Sequence, residues 1–441
     1  MGDRRDPRRV VIVGGGFGGA AAARALRRAD VEVTLVDRRN HHLFQPLLYQ
    51  VAAGGLSEGE CATTIRAMFR RQRNATVLMA EVTGIDAAAR EVWLDTGERL
   101  PYDSLVLAAG AETSYFGNDA WAASAPGLKT LADAVELRDR IFGAFEQAER
   151  ATDPVAREEW LSFVVVGGGP TGVEISGQVA ILAQKTLARD FRRMDARRAR
   201  VTLVDAGERV VPAFSEKLSA KTTEALASFG VVVREGARAT AIDDRGIDLA
   251  VDGGTERIAA RTVIWAAGVQ AAGLAGIAAH ATGAGVGPGG RIEVGPDCAV
   301  PGYPEISVIG DMAVHPGPDG KPLPGLATVA IQQAHHVAKG IKAGGVGATT
   351  PFRYLDKGAL AVVGRGKAVC EVRGRRISGR PAFYMYLGVH LYYLGGVFGH
   401  RLAVLRSWTE ARFGVRGERV IEGGLSTFSE RSGSDRGEET S

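Results

Sequence analysis

Cysteine is scarce in this chain, three residues in 441, at positions 61, 298 and 370. No two of them form a C-x-x-C pair, so the sequence offers no dithiol redox centre, no thiolate zinc site and no disulfide framework; this usage suits a reducing compartment. An apolar leader is also lacking, because the opening "MGDRRDPRRV" is charged and runs straight into a strand pattern, and no secretory signal is expected. Nor does one sign of charge dominate: 54 Lys and Arg stand against 50 Asp and Glu, net +4. The basic residues are not arranged in a nucleic-acid-binding motif, so nucleic acid is not an expected partner, whereas mild basicity suits an anionic membrane surface. One aromatic, apolar stretch lacks charged residues, "PAFYMYLGVHLYYLGGVFGH" between Arg380 and Arg401. Its glycines and tyrosines, and the flanking Arg373, Arg375, Arg376, Arg406 and Arg412, argue against a span. They favour a segment lying in the membrane interface, the alternative being a core helix or a homodimer contact.

What the chain does have is glycine, 59 residues of it, and two clusters share one pattern. "VVIVGGGFGG" places Gly14, Gly16 and Gly19 in G-x-G-x-x-G spacing, and "FVVVGGGPTGVE" does the same with Gly167, Gly169 and Gly172. Each reads as a strand, a tight turn and a helix start, whose free N–H groups receive a pyrophosphate. Each is followed by a second strand that ends in a carboxylate suited to a ribose hydroxyl: "VEVTLVD" ends at Asp37 and "RVTLVD" at Asp205. Asp205 favours NADH over NADPH, since a carboxylate repels a 2′-phosphate; nearby Arg209 is a group that could accommodate one.

At 45% hydrophobic and 24% charged, the chain is globular and long enough for two or three domains. The strand-helix-strand layout that begins at Arg9 ends in "LVLAAGA"; a second copy begins near Leu161 and ends in "VIWAAGV". The two are an internal repeat, and "PEISVIGDMA" reads as a return to the first. The expected fold is therefore α/β: two Rossmann-like dinucleotide-binding domains, the second inserted in the first, plus a C-terminal membrane-associating segment. The expected boundaries are 1–125 and 291–375 for the first domain, 126–290 for the second, 376–423 for the anchoring segment and 424–441 for a disordered tail. His41 and His42 are no metal pair: adjacent side chains on an extended segment point apart, and spacing places no third ligand.

Further stretches narrow the reading. "LVDRRNHHLFQPLLYQVAAGGLS", "VIGDMA", "GLATVAIQQAHHVAKGI" and "YLDKGALAVVGR", with the aromatic C-terminal run, resemble the type II, non-proton-pumping NADH:quinone oxidoreductases, flavoproteins with two dinucleotide-binding domains. The resemblance implies FAD on the first fingerprint and NADH on the second, with Asp311 of "GD" receiving the flavin's ribityl hydroxyls. It implies that Glu174 stands near the nicotinamide and flavin, organising nicotinamide binding or assisting proton transfer. It also puts Gln332 and Gln333 beside a quinone carbonyl. The partners it implies are a membrane quinone, ubiquinone or menaquinone, and the membrane surface, with the enzyme peripheral on the cytoplasmic face. Two departures stand out: Ala108-Ala109-Gly110 where the family often has Ala-Thr-Gly, and "FYMY" where tryptophans are more usual. The rival activities are a soluble NAD(P)H-dependent reductase of a ferredoxin-like protein and a non-enzymatic NADH-binding flavoprotein sensor.

Overall fold

The computed structural model describes residues 7–317, 320–394, 398–412 and 419–421. The expected tail from 424 lies outside them, as do parts of the C-terminal run. Contacts divide the chain into two compact units: one holds Met1–Leu43, Ala62–Glu112 and Val269–Lys357, the other Phe44–Cys61, Thr113–Gly268 and Gly358–Ser441.

The first unit is built on a six-stranded sheet in the order Ala299–Val300, Tyr303–Val308, Ser104–Leu107, Arg8–Val13, Val31–Asp37, Ala75–Met79. All neighbours are parallel except the first pair. Alternation along the strands sorts the core onto two faces, as period two requires. Val10, Ile12, Val33 and Leu35 pack with alanines of the helix Phe17–Ala25 and with Ala334, Val337 and Ile341 of the helix Ala327–Lys342. Val11, Val13, Leu105 and Leu107 pack instead against the antiparallel strands Val82–Asp86 and Glu91–Leu94 and the helix Leu274–Thr282. The near-continuous apolar runs that looked strand-like are thus strands covered on both sides.

The second unit repeats the device with four parallel strands, Val231–Arg234, Arg200–Val204, Ser162–Val166 and Thr262–Trp265, beside an antiparallel three-stranded sheet. It also carries the hairpin strands Ala359–Gly364 and Lys367–Val372 and the helices Arg380–Tyr393 and Phe398–Arg412. The latter helix is tied to the short segment Phe44–Cys61: His400 Nε2 lies 2.5 Å from the Glu60 carbonyl, and Trp408 Nε1 donates to Gln50 at 2.8 Å. Among the described residues no helix is long and apolar enough to cross a membrane. Tyr384, Met385, Val389 and Tyr392 stand exposed on the helix Arg380–Tyr393 while Ala382 and Tyr386 are buried. The spacing of the exposed four puts them on one helical face.

Candidate functional site

In the first unit the three fingerprint glycines have different jobs. Gly14 sits at φ +105°, where an added Cβ would strike the Ala108 backbone, and its N–H donates to the Val36 carbonyl at 2.8 Å. At Gly19 a Cβ would run into the Gly14 carbonyl, so this glycine lets the helix close on the turn. Gly16 is different: nothing of the protein lies within 4 Å of where its Cβ would be. The turn is left open there, at the helix N-terminus, which is the cradle a pyrophosphate needs. Asp37 braces the loop, accepting from Gly15 N at 2.6 Å and from Arg39 N at 2.7 Å. His42 braces it from behind, with Nδ1 2.9 Å from the Gly15 carbonyl and its ring edge-on to Phe17. Burial holds its pKa down, so the ring is a neutral donor at Nδ1. Nothing in the sequence marked His42 for this task.

The same unit brings Asp311 and Gln333 together. Gly310, at φ +69°, opens the turn Gly310–Met312, and its N–H donates to Gln333 Oε1 at 2.8 Å. Gln333 is buried and only its amide oxygen is committed, to the turn that carries Asp311. Gln332 spends both ends on the Leu355 backbone, accepting from N and donating to O, each at 3.0 Å. Gly18 abuts Ile309 and Ala330, which sets the fingerprint helix beside this turn.

The second unit wires its fingerprint the same way. Gly167 is at φ +113° against the Ala266 backbone, Gly172 against the Gly167 carbonyl, and Gly169 faces open space. Asp205 accepts from Gly168 N at 2.5 Å and from Gly207 N at 2.7 Å. Arg209 is turned to the carbonyls of Phe214 and Pro212, at 3.2 and 3.1 Å.

Glu174 lies on the helix Pro170–Ile181 but away from its exposed start, and is only 8% exposed. Gly177, one turn on, touches the Val363 carbonyl with no room for a Cβ, so helix and hairpin strand meet closely. That approach brings the Val362 N–H to Glu174 Oε1 at 3.4 Å. Burial raises the carboxyl pKa to about 8, opposed by this one amide. At neutral pH Glu174 therefore carries a proton. Next to it the unit holds a cavity of about 690 Å³, walled by Val362, Tyr49, Tyr386, Phe383 and Trp408. Lys185, Arg365, Arg380 and Arg419 also line it, and among the described residues no Asp or Glu does. Burial above all pushes the Tyr49 and Tyr386 phenols well above their ordinary value, so both stay protonated. The sequence motifs contained Tyr49 and Tyr386 without marking either, since only the tertiary fold brings them together.

The pyridine nucleotide-disulphide oxidoreductase family model matches residues 8–334. The chain is 47% identical over 409 residues to the type II NADH:quinone oxidoreductase Ndh of Mycobacterium tuberculosis, covering 91% of this chain and 87% of that relative. It is 45% identical over 424 residues to NdhA of the same organism, covering 94% and 89%. Among solved structures, that of NDH2 from Plasmodium falciparum in complex with NADH superposes with a TM-score of 0.84 at 18% identity, covering 94% of this chain and all of that one, which shows a shared fold. Two nucleotide-type turns wired alike, in a chain this similar over nearly its whole length, place the protein in the type II NADH:quinone oxidoreductases of the pyridine nucleotide-disulphide oxidoreductase family.

Proposed function

We propose that this chain oxidises NADH and passes both electrons by way of FAD to a membrane quinone, moving no protons across the membrane. The observation that carries this is the pair of open cradles at Gly16 and Gly169, two nucleotide sites in one chain, without a cysteine pair. All three cysteines are buried, and burial lifts the thiols of Cys61 and Cys298 to about 12, so a dithiol exit for the electrons is closed.

Residues 1–125 and 291–375 form the FAD-binding domain, 126–290 the NADH-binding domain, and 376–423 the membrane-attaching segment. Bound in its domain, FAD would supply the two-electron chemistry between NADH and the quinone. The turn Gly14, Gly16, Gly19 holds its pyrophosphate, Asp37 its ribose and Asp311 its ribityl hydroxyls. Gln333 holds the Asp311 turn through its amide oxygen, which leaves its NH2 as a donor for a quinone carbonyl; Gln332 fixes the adjoining backbone at Leu355. The turn Gly167, Gly169, Gly172 holds the NADH pyrophosphate and Asp205 its ribose. Arg209 is engaged by backbone carbonyls and so is not held ready for a 2′-phosphate. Glu174, protonated at neutral pH, stores a proton for quinone reduction. The aromatic cavity admits the quinone, and the exposed face of the helix Arg380–Tyr393 rests on the cytoplasmic membrane surface with arginines at its rim.

The test is optical. Purified full-length protein should be yellow, bleach on adding NADH, and regain its colour on adding a short-chain ubiquinone. Bleached protein that only a ferredoxin-like acceptor re-oxidises would overturn the assignment.

A further inference from the structure

The second unit contains a chain of hydrogen bonds whose direction is fixed at both ends. The indole N–H of Trp408 can only donate, so the atom it meets at 2.8 Å is Gln50 Oε1, which settles the orientation of that amide. Gln50 Nε2 then donates to the Tyr49 hydroxyl at 3.0 Å. At the other end the Pro46 carbonyl can only accept, so the Tyr386 hydroxyl spends its proton there, at 3.1 Å. Tyr386 oxygen is left as an acceptor, and the Tyr49 proton points at it across 3.3 Å. That link is the longest of the four, well beyond the roughly 2.7–2.8 Å usual between hydroxyls. Both phenols are almost fully buried and both line the cavity. Tyr386 is itself held fast, since its ring stacks on His390 at 3.7 Å and its carbonyl takes the His390 Nδ1 proton at 2.7 Å.

We infer that Tyr49 is the hydrogen-bond donor this cavity offers to a quinone carbonyl, and that Gln50, Trp408 and Tyr386 position it. The inference rests on the reading that the cavity admits quinone. Trp408 and Gln50 donate at 2.8 and 3.0 Å and Tyr386 at 3.1 Å, so the Tyr49 proton is the most weakly held of the four, and a carbonyl oxygen arriving in the cavity is a better acceptor. Gln50, donating to the phenol oxygen, polarises the hydroxyl and strengthens it as a donor. The hydroxyl holds and polarises the carbonyl; it keeps its proton, so the two electrons and two protons of quinone reduction come from elsewhere. Trp408 and Tyr386 belong to the C-terminal helices, so these helices set the donor's orientation as well as covering the cavity.

The experiment uses flavin-loaded full-length protein in liposomes, with NADH and either a short-chain ubiquinone or ferricyanide, which needs no carbonyl donor. Tyr49→Phe should lower kcat/KM for the quinone by about 10- to 100-fold and leave ferricyanide turnover unchanged. Tyr386→Phe, which removes both the acceptor of the Tyr49 proton and the bond to Pro46 but leaves the Tyr49 donor in place, should impair quinone turnover far less than Tyr49→Phe does. A structural role would instead impair both variants alike, and that symmetric result would overturn the proposal. Leu387→Trp, which fills the cavity from its wall, separates the two readings. If it blocks quinone turnover while Tyr49→Phe runs at the parent rate, the donor is wrong and the cavity right. If neither variant affects quinone turnover, both readings fall. Should Tyr49→Phe not retain flavin, Trp408→Phe decides, with a raised quinone KM expected and an unchanged one overturning the chain.

Discussion

Glu174 shows how one side chain is given its chemistry by its surroundings. A carboxyl in the interior with a single long amide contact ionises late, near pH 8, whereas in an unfolded chain it would ionise near 4.5. The folded state therefore binds the proton more tightly. Its contribution to stability is complete below about pH 4.5 and is lost as pH climbs toward 8. Each unit of such a shift is worth about 1.4 kcal/mol, so the effect reaches a few kcal/mol. Glu174→Gln, which cannot ionise, should melt progressively higher than the parent as pH is raised from about 5 to about 9. Thermal melts at the two ends check this, and a difference that ignores pH would refute it. Asp205 is held differently, by two loop amides at the ribose position. Asp205→Ala should raise the NADH KM about tenfold and narrow the preference over NADPH. Steady-state kinetics with both nucleotides decides it, and a parent enzyme that already uses both equally would sink it.

At the scale of elements, each fingerprint is a strand, a turn and a helix whose glycines divide the work. Gly14 and Gly19, like Gly167 and Gly172, are required by the protein's own backbone, and any side chain there breaks the turn. Gly16 and Gly169 are required only by what the turn receives, because a side chain there meets no protein atom. Valine at either position should thus leave the fold intact by circular dichroism. Gly16→Val should lose most of the flavin on purification, while Gly169→Val should stay yellow and fail to bleach with NADH. Loss of flavin from a folded Gly169→Val would show that the two turns are assigned the wrong way round. The spacing made all six glycines stand out equally; only the neighbours of each missing Cβ separate the two kinds.

On the scale of the whole chain, the question is where a molecule with no spanning helix among its described residues meets a quinone dissolved in lipid. We propose that the apolar face of the helix Arg380–Tyr393 is that place. Tyr384 and Tyr392 are 60% and 71% exposed, more than a buried helix would allow, and the flanking arginines suit anionic headgroups. Replacing Tyr384, Val389 and Tyr392 together with serine removes side chains that would each gain on the order of 1 kcal/mol on leaving water. Partition onto anionic liposomes should fall by about a hundredfold with NADH bleaching of the flavin unchanged. Flotation of the triple variant at the parent level would rule this face out.

The family, the α/β architecture and both nucleotide-type turns were legible in the sequence, because they rest on short-range rules. Backbone φ, strand period and turn geometry are local, so Gly14 and Gly167 announce themselves by spacing, and Asp37 and Asp205 by closing the strand that follows each fingerprint. The rest depends on residues far apart in the chain. Glu174 owes its proton to burial and to Gly177 pressing against Val363, nearly two hundred positions later. Gln333, read as a quinone-side amide, has its oxygen on the Gly310 turn, and His42 carries the Gly15 carbonyl. Tyr49 reaches Tyr386 and, through Gln50, Trp408 across more than three hundred residues. Such contacts exist only once the strands have set the helices, for burial and hydrogen-bond partners are properties of packing, and no local pattern encodes them.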